Sequence, residues 1–126
     1  MLVDDFVLRQ IQQIADMLAA LAGSPSDALP DGALDEIDDA YRNLLGMDPD
    51  LADALDAETL LRGLNDARER DALVDLTLAH AEAQARSGDP EAARSRLLRA
   101  LAFMQDDDAR AAQTIARYDA LADAPA

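Results

Sequence analysis

Residues 71–104 read DALVDLTLAHAEAQARSGDPEAARSRLLRALAFM, and this stretch decides the fold. Two helices rich in Ala and Leu meet at Ser87-Gly88-Asp89-Pro90. Gly88 suits the left-handed residue that ends a helix. Asp89 suits the N-cap of the next one, and Pro90 its first position, where a missing N–H costs nothing. The spacing predicts a first helix over 67–86 whose apolar residues, Leu73, Val74, Leu76, Leu78, Ala81 and Ala85, run round most of its circumference. Only a narrow stripe with Asp71, Asp75, Glu82 and Arg86 is polar, and a helix this apolar is central. The second helix is predicted to run to about Gln105, with Ala93, Leu97, Leu98, Ala100, Leu101 and Met104 inward. Alanines at 81, 93 and 100 let the two helices approach closely.

Outward from this hairpin the chain continues in helices. A first helix is expected from an Asp4 or Asp5 cap to about Ala22, stopped by Gly23. Its apolar residues, from Phe6 and Val7 through Ile14 and Met17 to Leu21, cover an arc of roughly 200°, wider than one packing surface needs. That helix should touch neighbours on two sides, either within the chain or across a homodimer. Pro25, Pro30 and Gly32 mark a loop. A helix over Ala33–Leu45 follows, with Leu34, Ile37, Tyr41, Leu44 and Leu45 inward and Gly46 ending it. Asp48-Pro49 opens a short turn through Leu55, and Asp56 caps a short helix to Leu64. Whether residues 46–65 form a second hairpin is open. Asp106-Asp107-Asp108 are expected to cap a last helix that packs back through Ala112, Ile115, Ala116 and Ala122.

Composition agrees with an all-α reading. The 126 residues are half hydrophobic, yet the only aromatics are Phe6, Tyr41, Phe103 and Tyr118, so the core must be Leu, Ile, Met and Ala. No run alternates apolar and polar residues as a half-buried strand does. The expected architecture is one compact bundle of five to seven helices spanning residues 1–126. With no cysteine there is no disulfide or thiolate chemistry. No apolar run approaches the roughly 18–20 residues of a membrane span. The opening Met1-Leu2-Val3-Asp4-Asp5 is not a signal peptide, so a cytoplasmic location is expected.

The net charge is −15 and uneven. Residues 1–66 carry 15 acidic and 3 basic side chains, a balance of −12; residues 67–126 carry 11 and 8, a balance of −3. Such a field disfavours nucleic acid and anionic membranes as partners. It suits a basic protein or peptide, or it keeps the protein in solution.

Ala81, Gly88, Asp89, Ala93, Ala100 and Leu101 occupy signature positions of the tetratricopeptide pattern, so residues 74–105 resemble one such repeat. Thr77, His80 and Gln84 replace its bulky first-helix residues, and no second copy appears at its period of about 34 residues. Nearly the whole chain resembles an uncharacterised bacterial family of unknown function with tetratricopeptide-like hairpins. Asp5-Phe6-Val7-Leu8-Arg9-Gln10-Ile11 and Leu44-Leu45-Gly46-Met47-Asp48 carry that likeness with the hairpin. It implies a fold, no activity and no catalytic residues.

Candidate chemistry is sparse. His80 is the lone histidine, a ligand or base in one reading and a hydrogen-bonded bundle residue in the plainer one. Asp35 and Asp39 lie one turn apart in Asp35-Glu36-Ile37-Asp38-Asp39 and could hold a divalent cation, or simply face water; Asp38 is spaced to pair with Arg42. Asp48-Pro49-Asp50 lacks the Gly and Glu of a calcium loop, having Asp53 and Thr59 there. No phosphate loop or nucleophile elbow is present, so neither a cofactor nor an enzymatic activity is expected.

Two surfaces remain. The tetratricopeptide resemblance implies that Asp75, Leu78, Glu82 and Arg86 line a concave groove able to hold a basic or extended peptide. The alternative is an ordinary solvated stripe. Arg96, Arg99 and Phe103 are expected on the outer face of their helix, docking on the acidic N-terminal half of the same or a second chain. Alternatively the last helix covers Phe103 and the arginines face water. The sequence therefore suggests a non-enzymatic helical protein–protein interaction module, with a homodimer through Phe6 and Met17 as one form. A small acidic chaperone or antagonist of a basic partner is the second reading.

Overall fold

The computed structural model describes residues 9, 12–17, 19–21, 32–64 and 66–122. Among them there is no strand: the protein is an all-α bundle. Residues 12–17 and 19–21 are helical, and six further helices follow. These are α1 (Ala33–Leu45), α2 (Pro49–Ala54), α3 (Ala57–Arg62), α4 (Ala67–Arg86), α5 (Pro90–Phe103) and α6 (Ala111–Ala122). Phe6, the expected caps at Asp4 or Asp5, and Gly23 lie outside the described residues.

The α4–α5 turn follows from its sequence. Gly88 adopts φ 91°, and its N–H bonds the Ala85 carbonyl while that of Asp89 reaches back to Gln84. This paired closure of the last carbonyls needs a left-handed residue at Gly88. The Asp89 side chain then accepts from the Ala92 N–H at 3.1 Å and caps α5. Ala81, Ala93 and Ala100 are all buried, and α4 packs most extensively on α5. Alanine at these three positions brings the two long helices close enough to form one hairpin, with Leu97 and Phe103 buried beside them. α4 is the central element, with Leu73, Val74, Leu76 and Ala79 inaccessible to solvent.

α1 packs on α4 through Ile37, Ala40 and Tyr41, which join Leu60, Leu73, Phe103 and Met104 in the main core. The helical N-terminal residues add Ile14 and Leu21, both buried within this chain, and half-buried Met17. The segment between Gly46 and Asp66 is no second hairpin. α2 packs mainly on α1 and α3 on α5, each as a single short helix.

Several expectations need correction. Leu34 and Leu98 were placed inward but are 44% and 49% exposed. α5 ends at Phe103, two residues early, because Met104 turns extended. α6 starts only at Ala111, so Asp106 and Asp107 cap nothing, and Asp108 instead accepts from the N–H and guanidinium of Arg110. α6 is also rotated. Thr114 and Leu121 are its buried residues, while Ala112, Ile115, Ala116 and Ala122 face water. Arg110 and Arg117 explain that rotation, since both reach back to carboxylates on α4.

Candidate functional site

The four predicted groove residues come together. Asp75, Leu78, Glu82 and Arg86 on α4 line an open groove of about 330 Å³, floored by Leu97 of α5 and walled by Gln113 and Arg117 of α6 and by Arg110 just before it. Buried Leu21 also lines it. Two ion pairs cross it. Arg110 Nη1 donates to Asp75 Oδ1 at 2.9 Å, and Arg117 gives Nε and Nη2 to Glu82 at 3.2 Å each. Residues 75 and 82 thus pair with 110 and 117 in the same order. α4 and α6 therefore run parallel, with α5 antiparallel between them.

The expected mixed acidic groove is met on its far wall by arginines of the C-terminal segment. Arg110 also reaches Asp71 (3.0 Å) and Asp108 (2.6 Å), and its bond to Asp108 holds that carboxyl at about 2, well below its ordinary value. Glu82 accepts from Arg86 as well, at 3.2 Å, and that arginine is nearly buried. The acids of α4 already face arginines, so the groove is mixed in charge. Arg110 and Arg117 were missed as site residues because nothing local ties them to α4; the one signal is the shared seven-residue spacing.

Arg96, Arg99 and Phe103 do not form an outer cluster. Phe103 is 2% exposed in the main core, because the helix turns it toward α4 rather than outward. Arg99 stacks over its ring at 5.2 Å and donates to the carbonyls of Ala52 (2.8 Å) and Leu55 (2.5 Å), satisfying the C-terminal end of α2. Arg96 grips Asp53 through both nitrogens, at 2.5 and 3.0 Å, and holds its carboxyl below the ordinary range. Both arginines dock on the N-terminal half of their own chain.

His80 takes the plainer role. Its Nδ1 lies 3.1 Å from the Tyr41 hydroxyl, the rings edge to face. Burial, helped by Arg96, pushes its pKa down to about 4, and burial pushes Tyr41 up to about 12, so both are neutral near pH 7. In the acidic stretch of α1, Arg42 pairs with Asp39 (3.2 Å) and Asp48 (2.9 Å) rather than with Asp38. Among the described residues no group of His, Asp and Glu is placed to hold a metal ion.

A second, larger furrow of about 540 Å³ separates the N-terminal helical residues from α1, lined by Asp16, Met17, Glu36 and Asp39 and, among the described residues, by no basic side chain. No described helix is long and apolar enough to cross a membrane. Comparison with protein-family models, curated proteins and solved structures finds no match.

Proposed function

We propose that this chain is a non-enzymatic, tetratricopeptide-like interaction module of the cytoplasm that docks another polypeptide in the groove between α4 and α6. One observation carries the reading: residues from three helices converge on an open groove with an apolar floor, Leu78 and Leu97, and charged walls. Hydrophobic floors with polar rims are how helical scaffolds hold peptide segments. The engagement of His80 with Tyr41 supports a non-catalytic role, since the one side chain suited to proton transfer near neutrality is held neutral inside the bundle.

A photo-reactive phenylalanine analogue in place of Gln113, on the groove wall, tests this. It should cross-link a cellular protein that the same analogue at exposed Leu51 does not reach. No adduct from position 113, or the same adducts from both positions, refutes groove docking.

The acidic-antagonist reading is favoured by the other furrow, where Asp16 and Glu36 stand beside Asp39, which Arg42 already pairs. A basic partner bound there would dissociate between low and moderate salt. A homodimer through the first helix would have to use Phe6 and the exposed edge of Met17. Light scattering at micromolar concentration that returns the 13.5 kDa of one chain removes it.

A further inference from the structure

The α6 wall of the groove is held less firmly than the α4 wall. α4 buries nine of its 20 residues, α6 two of its 12, Thr114 and Leu121. Among the described residues of α6, only the first, Ala111, packs on the main core. The far end rests on a separate small cluster, where Leu121 and half-buried Tyr118 meet Ala81, Ala93 and Leu97. The other holds on that end are polar. Arg117 pairs with Glu82 at 3.2 Å and leaves 43% of its side chain in solvent. Arg94 of α5 lies over the Tyr118 ring at 4.1 Å and donates to the Tyr118 carbonyl at 3.3 Å. The near end is tighter. Arg110, just before the helix, is gripped by Asp71, Asp75 and Asp108 at 3.0, 2.9 and 2.6 Å.

From this asymmetry we infer that α6 is a movable wall that pivots at Arg110 and swings its C-terminal end off the hairpin, opening the groove. In the closed form Leu97 is only 3% exposed, with Leu121 and Tyr118 packed around it. Lifting those two uncovers it. The purpose of the motion, to admit a partner, rests on the docking role proposed above; the motion itself does not. Partly exposed ion pairs contribute little, and elements with few buried apolar contacts open before the fold as a whole. Charge gives the motion a signature. Residues 109–122 carry Arg110, Arg117 and Asp119, a balance of +1 in a chain of −15, so the rest carries −16. Attraction across the groove therefore helps hold α6 down, while the remainder repels itself. Added salt screens both effects. It loosens α6 and steadies the remainder.

The chain has no cysteine, so a single introduced thiol reports alone. Leu97→Cys places one beneath α6, and Leu73→Cys places one in the main core. Denaturation of each variant gives the labelling rate expected if a thiol reagent had to wait for global unfolding. Leu97→Cys should be labelled about tenfold faster than that rate, and Leu73→Cys at it. Raising salt from about 0.05 to 0.5 M should speed labelling of Leu97→Cys about threefold and leave Leu73→Cys unchanged or slower. Labelling of Leu97→Cys no faster than global unfolding, or not rising with salt, overturns the inference. Hydrogen exchange of the unaltered chain decides the matter if Leu97→Cys does not fold: residues 111–118 should exchange faster than residues 73–83 and speed up with salt, and equal protection or no response to salt overturns the inference. If α6 moves but Gln113 cross-links nothing, the motion stands and the docking role falls. If Gln113 cross-links a partner and α6 stays closed, the groove docks with fixed walls.

Discussion

The α4–α5 hairpin and the α2–α3 segment are both helical, but they are held in different ways. The hairpin carries its own instructions: an alanine seam, a left-handed glycine and an Asp-Pro start. Its helices have 20 and 14 residues, enough for packing along one shared face. α2 and α3 have six residues each, below the length at which a helix sustains itself. Leu60 anchors α3, and α2 is held from outside, by Arg96 on Asp53 and Arg99 on two backbone carbonyls. The α4–α5 pair is fixed by small apolar contacts, and α2 by arginines reaching from α5.

The contrast can be broken most forcefully at Phe103, which lies in the core and under Arg99. Phe103→Ala should lower stability by about 3–5 kcal/mol in chemical denaturation. Hydrogen exchange should rise first in α2, whose anchor rests on that ring, while α4 amides stay among the last to exchange. Exchange rising first in α4 would make the hairpin the weaker region. Gly88→Val strikes the hairpin alone. A Cβ at this position meets nothing within 4 Å, so the left-handed backbone sets the loss, which should be about 1–2 kcal/mol. A melting temperature equal to that of the parent would discard the turn assignment.

The smallest effect concerns the joint between the halves, where Tyr41 of α1 meets His80 of α4. His80 titrates near 4 in the fold against an ordinary 6.5. The unfolded chain therefore binds the proton first, and this group's contribution, complete above about pH 6.5, is lost as pH falls toward 4. His80→Gln should flatten the decline in melting temperature across that window relative to the parent, leaving the acid transition at lower pH in place. Parallel curves for both proteins would show that His80 is not the titrating group.

Much of this architecture was legible before any coordinates. Ala33–Leu45 and Ala67–Arg86 are helices with the predicted bounds, because period and caps are local signals. The groove residues Asp75, Leu78, Glu82 and Arg86 share one stripe by the same arithmetic. Phe103 is misplaced by the sequence because the face it shares with Arg99 looks outward on a helical wheel, whereas in the fold α2 and the main core cover that face. Ile115 was misplaced because hydrophobicity alone suggested the buried face of α6.

What the sequence by itself determined is therefore the set of helices, the α4–α5 turn and the alanine seam between them, all governed by interactions within a few residues or by side-chain size. Tertiary structure alone decided which arginine meets which carboxylate. With 11 arginines and 26 acidic residues, many pairings satisfy local rules. Only the parallel placement of α4 and α6 selects Asp75 with Arg110 and Glu82 with Arg117, and with them the rotation of α6 and the mixed charge of the groove.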